Sequence, residues 1–150
     1  MKLTRGGEYA LRAVLHLTQQ GETKVQMVSS VAAAQEIPQR FLAKILQVLT
    51  RAGIVASHRG VKGGFSLKRP ADEITLKDVI EAVEGPVSLN RDAAGPLHHV
   101  WEEAQEQMLR ALSRVTFAEL ARAHAHPLGM GAARPFRPRS EASVGELGAD

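Results

Sequence analysis

Apolar residues first fall into a helical rhythm. Ala10, Ala13, Val14 and Leu17 recur at i, i+3, i+4 and i+7, with Leu11 and Leu15 widening the stripe. That period predicts a helix from Thr4, its N-cap, to Gln20, with Gly21 as the stop. A short alanine-rich helix, "SVAAAQ", follows, with Ser29 or Ser30 as its cap. Pro38 disfavours helical backbone at Ile37 but suits the first turn of the next helix. In "PQRFLAKILQVLTRAG", Phe41, Leu42, Ile45, Leu46 and Leu49 form the predicted buried stripe. Gln39, Arg40, Lys44, Gln47 and Arg51 share the opposite face, and Gly53 ends the helix.

The period then changes. Around "SHRGVKGG", the runs "IVASH" and "FSLKR" are short, and Phe65 and Leu67 alternate with Ser66 and Lys68. This predicts a two-stranded hairpin, closed by Pro70. "DEITLKDVIEAVEG" returns to helix, with Thr75 as cap and Asp78 in a first turn that favours negative charge. A longer helix is expected from Pro96 to Val115. Its apolar residues Leu97, Trp101, Ala104, Met108, Ala111 and Val115 are spaced 4, 3, 4, 3, 4. Such a stripe is either packing within one chain or a seam between subunits, and so small a domain cannot easily cover it by itself, which favours the seam. "TFAELARA" is a last helix capped by Thr116. From Pro127 on, 7 of 24 residues are Gly or Pro, and the segment reads as a disordered tail.

Charge sharpens the picture. Residues 1–70 carry 11 Lys/Arg against 3 Asp/Glu, net +8; residues 71–126 carry 5 against 10, net −5. A basic front on an acidic body is the footprint of a nucleic-acid reader. The chain has no cysteine, which excludes disulfides, thiolate metal sites and cysteine nucleophiles. Glu8 and Arg12 break the N-terminal apolar run, so no signal peptide is expected, and no run reaches the roughly 20 residues of a membrane span. The expected location is the cytoplasm. No Walker loop, metal-protease pair or nucleophile elbow is present, so an enzyme is not expected.

Helix, helix-turn-helix and hairpin together make a winged helix, mainly α with a small β-hairpin. The expected units are residues 1–86 for DNA binding, 87–126 for a dimerisation helix with a sensor segment, and 127–150 for the tail. Three segments carry a resemblance: "MKLTRGGEYALRA", "IPQRFLAKILQVLTRAGIVASHRGVKGGFSL" and "ITLKDVIEAVEG". They resemble the Rrf-two family of bacterial transcription regulators, of the IscR/NsrR type. The resemblance implies a homodimer on a partly palindromic double-stranded operator. The third helix would enter the major groove, the wing would grip the minor groove or backbone, and the long helix would make the dimer. The expected DNA-binding residues are Ser29, Gln39, Arg40, Lys44, Gln47, Arg51, His58, Arg59, Gly60, Lys62, Gly63 and Gly64. Three glycines exceed what a hairpin turn needs, so they are expected to let the tip approach the duplex.

The chain departs from the family at several points. Glu36 stands where members usually have glycine, and is strained if the backbone there is left-handed. Many members hold an iron–sulfur cluster on three cysteines before the long helix; here that segment is "LNRDAAGPLHHVW". No cofactor is therefore expected. The resemblance leaves one weaker metal set, Glu8, Asp92 and His98, suited to a harder divalent ion. His99, His124 and His126 have no such support. The expected role is a DNA-binding regulator, a repressor, without a cluster, with any small-molecule or protein effector unspecified. The alternative is a protein-interaction module on the same body that regulates an enzyme.

Overall fold

The computed structural model describes residues 2–89 and 94–125. Asp92, His126 and the segment 127–150 lie outside the described residues.

Helix α1, Arg5–Gln20, opens as its sequence predicts: the Thr4 hydroxyl accepts from the Gly7 amide at 3.1 Å. A long-range clamp is added. The Thr4 amide donates to Glu84 Oε1 at 2.6 Å, so the end of helix α4, Leu76–Glu84, holds the start of α1. A Cβ at Gly7 would press on that same carboxylate and on Leu3, so glycine leaves the clamp undisturbed.

Helices α2, Val28–Gln35, and α3, Gln39–Arg51, form the helix-turn-helix. The N-cap of α2 is Met27 rather than Ser29 or Ser30, and no side chain caps it. Both serines lie inside the first turn with exposed side chains. The turn between the helices passes through Glu36 at φ 53° and ψ 45°, a left-handed non-glycine residue. Ile37 N–H reaches the Ala32 carbonyl at 3.0 Å, the six-to-one bond of a Schellman motif. The expected strain at Glu36 is therefore real, worth about 1–2 kcal/mol for an L-residue. Helix α3 ends in the same motif with the usual residue, Gly53 at φ 76°.

Strands β1, Val55–His58, and β2, Gly64–Leu67, pair antiparallel, with Val55 opposite Leu67 and His58 opposite Gly64. A third edge was not predicted. Gln26 and Phe65 exchange both backbone hydrogen bonds at 2.8 Å, so the segment before α2 flanks β2. Ala71–Glu73 form a 3-10 turn ahead of helix α4, Leu76–Glu84. Thr75 and Asp78 complete a reciprocal capping box on α4.

Helix α5 spans His98–Arg114, and α6 spans Phe117–Ala125. Leu97 sits at the N-cap of α5, and Val115 has left the helix with extended backbone. The Val115 carbonyl accepts from Leu76 N–H at 3.1 Å, and Phe117 N–H donates to the Ile74 carbonyl at 3.0 Å. This short ladder returns the chain to the domain, where Phe117 is fully buried and α6 lies against α1. Thr116 caps α6, reciprocated by Glu119.

One core unites α1 to α4 and Phe117. In α3, Leu42, Ile45, Leu46 and Leu49 belong to it. Phe41 does not: it is 40% exposed and meets Tyr9 edge-on, ring centroids 5.6 Å apart. Helix α5 buries no residue at all.

Candidate nucleic-acid interface

Burying Leu42, Ile45, Leu46 and Leu49 turns the other side of α3 outward. Gln39, Arg40, Lys44, Gln47 and Arg51 are all exposed there, and Arg40, Lys44, Gln47 and Arg51 follow at 4, 3 and 4 residues, one continuous row. Among the described residues, no ion pair engages Arg40, Lys44 or Arg51, nor Arg59 or Lys62 in the wing. Their charge is left for an outside anion.

The wing continues this surface. A cleft of about 240 Å³ lies between the end of α3 and the hairpin, lined by Gln47, Thr50, Arg51, Ser57 and Phe65. Arg59, Gly60, Val61 and Lys62 are exposed beyond it. His58 is exposed too, but its Nε2 lies 2.8 Å from the Ser66 hydroxyl, a buried side chain on the facing strand. That bond braces the wing and occupies one ring nitrogen.

The three wing glycines have three different causes. Gly60 sits at φ 108° with open space where a Cβ would be. A Cβ on Gly63 would run into the carbonyl oxygens of His58 and Gly60. One on Gly64 would run into the Gln26 carbonyl, because the third edge approaches there. All three glycines are thus accounted for by the folding of the wing itself, Gly60 by its φ and the other two by the carbonyls they approach, whatever else they meet.

Behind the face lies a clamp that the sequence pattern did not reveal. Arg12 Nη2 donates to the Gln35 carbonyl at the end of α2, and Gln35 Nε2 lies 3.1 Å from His16 Nδ1. A cation at a helix C-terminus is favourable. Burial lowers the His16 pKa from its ordinary 6.5, which keeps the ring neutral and able to accept from Gln35. Two α1 side chains therefore hold the end of α2, next to the strained turn that sets the angle of α3. The only signal in the sequence was the spacing of Arg12 and His16 by one helical turn.

Among the described residues, no three His, Asp or Glu side chains group as metal ligands. Glu8 pairs with Arg12 at 4.0 Å, and His98 with Glu102 at 3.0 Å, each within its own helix. His99 lies 3.7 Å from the same Glu102. His124 lines a shallow groove between α1 and α6 with Thr18, Gln19, Ala121 and Arg122.

Comparison with known proteins agrees with this fold. A family model described as "Rrf2: Iron-dependent Transcriptional regulator" matches residues 3–123. The protein rrf2 of Nitratidesulfovibrio vulgaris is 31% identical over 132 residues, covering 81% of this chain and 88% of its own. CymR of B. subtilis, described as the global cysteine regulator of that organism, superposes with a TM-score of 0.73 at 26% identity, over 82% of this chain and 98% of its own. IscR of T. potens gives a TM-score of 0.73 at 26% identity, over 88% and 93%. The family description names iron, and this chain's donors do not fit an iron–sulfur cluster. Such clusters are held chiefly by thiolates, and the chain has none, the matched span included.

Proposed function

The chain belongs to the Rrf2 family of DNA-binding transcriptional regulators, and we propose that it works as a homodimer on a partly palindromic operator, as a repressor, with no iron–sulfur cluster. The observation that carries the DNA-contact assignment is the row Arg40, Lys44, Gln47 and Arg51, exposed, without ion pairs and continuous with the basic wing. In this reading α3 lies in the major groove. Gln39 and Arg40 stand at its N-terminal end, where base edges are reached. Lys44, Gln47 and Arg51 follow the groove, and Ser29 meets the backbone from the start of α2. Arg59, Lys62 and His58, with the Gly60, Gly63 and Gly64 loop, meet phosphates or the adjacent minor groove. Repression follows from occupying operator DNA that a polymerase would otherwise use.

The homodimer rests on α5. Leu97 is 62% exposed, Val100 60% and Trp101 43%, and Ala104, Met108 and Ala111 continue the stripe. Apolar surface of this kind marks an interface. The charges support self-pairing: Glu102, Glu103 and Glu106 lie in the first half of α5, Arg110 and Arg114 in the second. A copy running antiparallel would set each half against its opposite. Val100 joins the seam expected from the 3.5-residue spacing, and Val115 drops to its margin because it has left the helix.

The test is DNA binding as a function of salt. Arg59→Ala and Lys62→Ala should weaken binding to selected and random duplexes by similar factors. Each should also flatten the salt slope by about one unit per lost phosphate contact. Unchanged affinity and slope in both variants would remove the wing from the interface.

A further inference from the structure

Val61 is 99% exposed, more than any other exposed large hydrophobic among the described residues. Of the others, Met27 is half-exposed at the N-cap of α2, Phe41 rests against Tyr9, and Leu97, Val100 and Trp101 share the α5 stripe. Val61 packs against nothing, so burial does not explain it. Propensity does not explain it either. The Gly63 amide donates to the Gly60 carbonyl at 2.9 Å, which makes Gly60 to Gly63 a tight turn with Val61 as its second residue. Such positions favour Pro, Asn, Asp, Ser or Gly, and a β-branched residue is stiff and poorly suited there. Val61 sits between the exposed cations Arg59 and Lys62, at the outermost point of a hairpin slimmed by glycines on both sides.

We infer that Val61 is a specificity residue: its apolar side chain faces the floor of the minor groove under the wing and selects A·T over G·C pairs there. This rests on the DNA-binding reading above and adds a base preference to it. Minor-groove edges of A·T and T·A present only acceptors, whereas G·C adds the guanine N2 amino group. That donor projects from the floor. Against a valine it loses its water, gains no partner and holds the side chain off the floor. A burial of this kind, with a hydrogen bond left unmade, is costly. A·T-rich segments also have a narrow, more negative groove that suits Arg59 and Lys62. The apolar tip and its flanking cations therefore favour the same sequence by separate means, and substitution at Val61 separates them.

The experiment selects duplexes from a random pool with the full chain and, in parallel, with Val61→Ser. No packing is lost in this variant, and circular dichroism confirms its fold. The wild type should enrich A·T pairs at the wing positions flanking the core that α3 reads. Placing G·C there should weaken binding about tenfold, and hypoxanthine·C, which lacks the N2 amino group, should restore it. Val61→Ser should lose most of the discrimination at these positions and keep the core preference. A·T preference unchanged in Val61→Ser, or hypoxanthine behaving as guanine, overturns this inference alone. A wild type that enriches no sequence overturns the DNA-binding reading and this inference together.

Discussion

Helices α3 and α5 are built alike and end differently. Both are amphipathic, of 13 and 17 residues. Helix α3 buries Leu42, Ile45, Leu46 and Leu49 in its own domain, and its polar face is basic and free of ion pairs. Helix α5 buries nothing, and its charges are split by sign along its length. The apolar side of α3 is satisfied by its own chain, so what remains outward is available to a ligand. The apolar side of α5 is not satisfied, so in our proposal it waits for a second copy. Helix α6 makes the contrast clearer, because Phe117 fastens it to the core immediately after α5, which buries no residue.

The sharpest way to break this comparison is to cut into each apolar face. Leu46→Ala should cost about 2–5 kcal/mol of fold stability, measured by denaturant unfolding, because a fully packed side chain leaves a cavity. Met108→Glu should leave the fold intact and abolish self-association, because like charges would meet near the two-fold axis of the proposed dimer. Sedimentation and circular dichroism check the two halves of that statement. The chain's single tryptophan, Trp101, offers a second readout: its emission should shift to longer wavelength in Met108→Glu as it becomes wetter. A Met108→Glu protein that remains dimeric, or one that unfolds, would erase the difference between the two helices.

A smaller effect lies at the joint that aims α3. Glu36→Gly should raise stability by about 1 kcal/mol, because glycine occupies left-handed backbone without the Cβ penalty, partly offset by its greater freedom when unfolded. Thermal unfolding measures it. A loss of stability would mean that the Glu36 side chain contributes a contact outweighing its strain.

What could be read in the sequence was whatever depends on neighbours in sequence. Thr4, Thr75 and Thr116 cap their helices as expected, because a cap involves only the next three residues. Gly53 ends α3 and the hairpin forms for the same reason. The basic row of α3 was legible because one helical period fixes both of its faces. The rest required distant partners. Nothing local announces that Gln26 pairs with Phe65, that Glu84 reaches Thr4, or that Arg12 caps α2. Phe41 was expected inside because it borders the apolar stripe, yet at that edge it finds Tyr9 at the surface instead. Ser29 or Ser30 was expected to cap α2, but the cap is Met27 and the helix begins at Val28, which leaves both serines in its first turn. The wing glycines were noticed for the right motif, but two of them answer to the carbonyls of His58 and Gln26.

The most direct test of the outward face of α3 is the affinity of wild-type and Arg40→Ala protein for a selected duplex and a random one, at one fixed salt concentration. If α3 reads bases, Arg40→Ala costs roughly 1–3 kcal/mol on the selected duplex and far less on the random one. Equal losses on both would make Arg40 a phosphate contact, and no loss on either would contradict the assignment of this face to DNA.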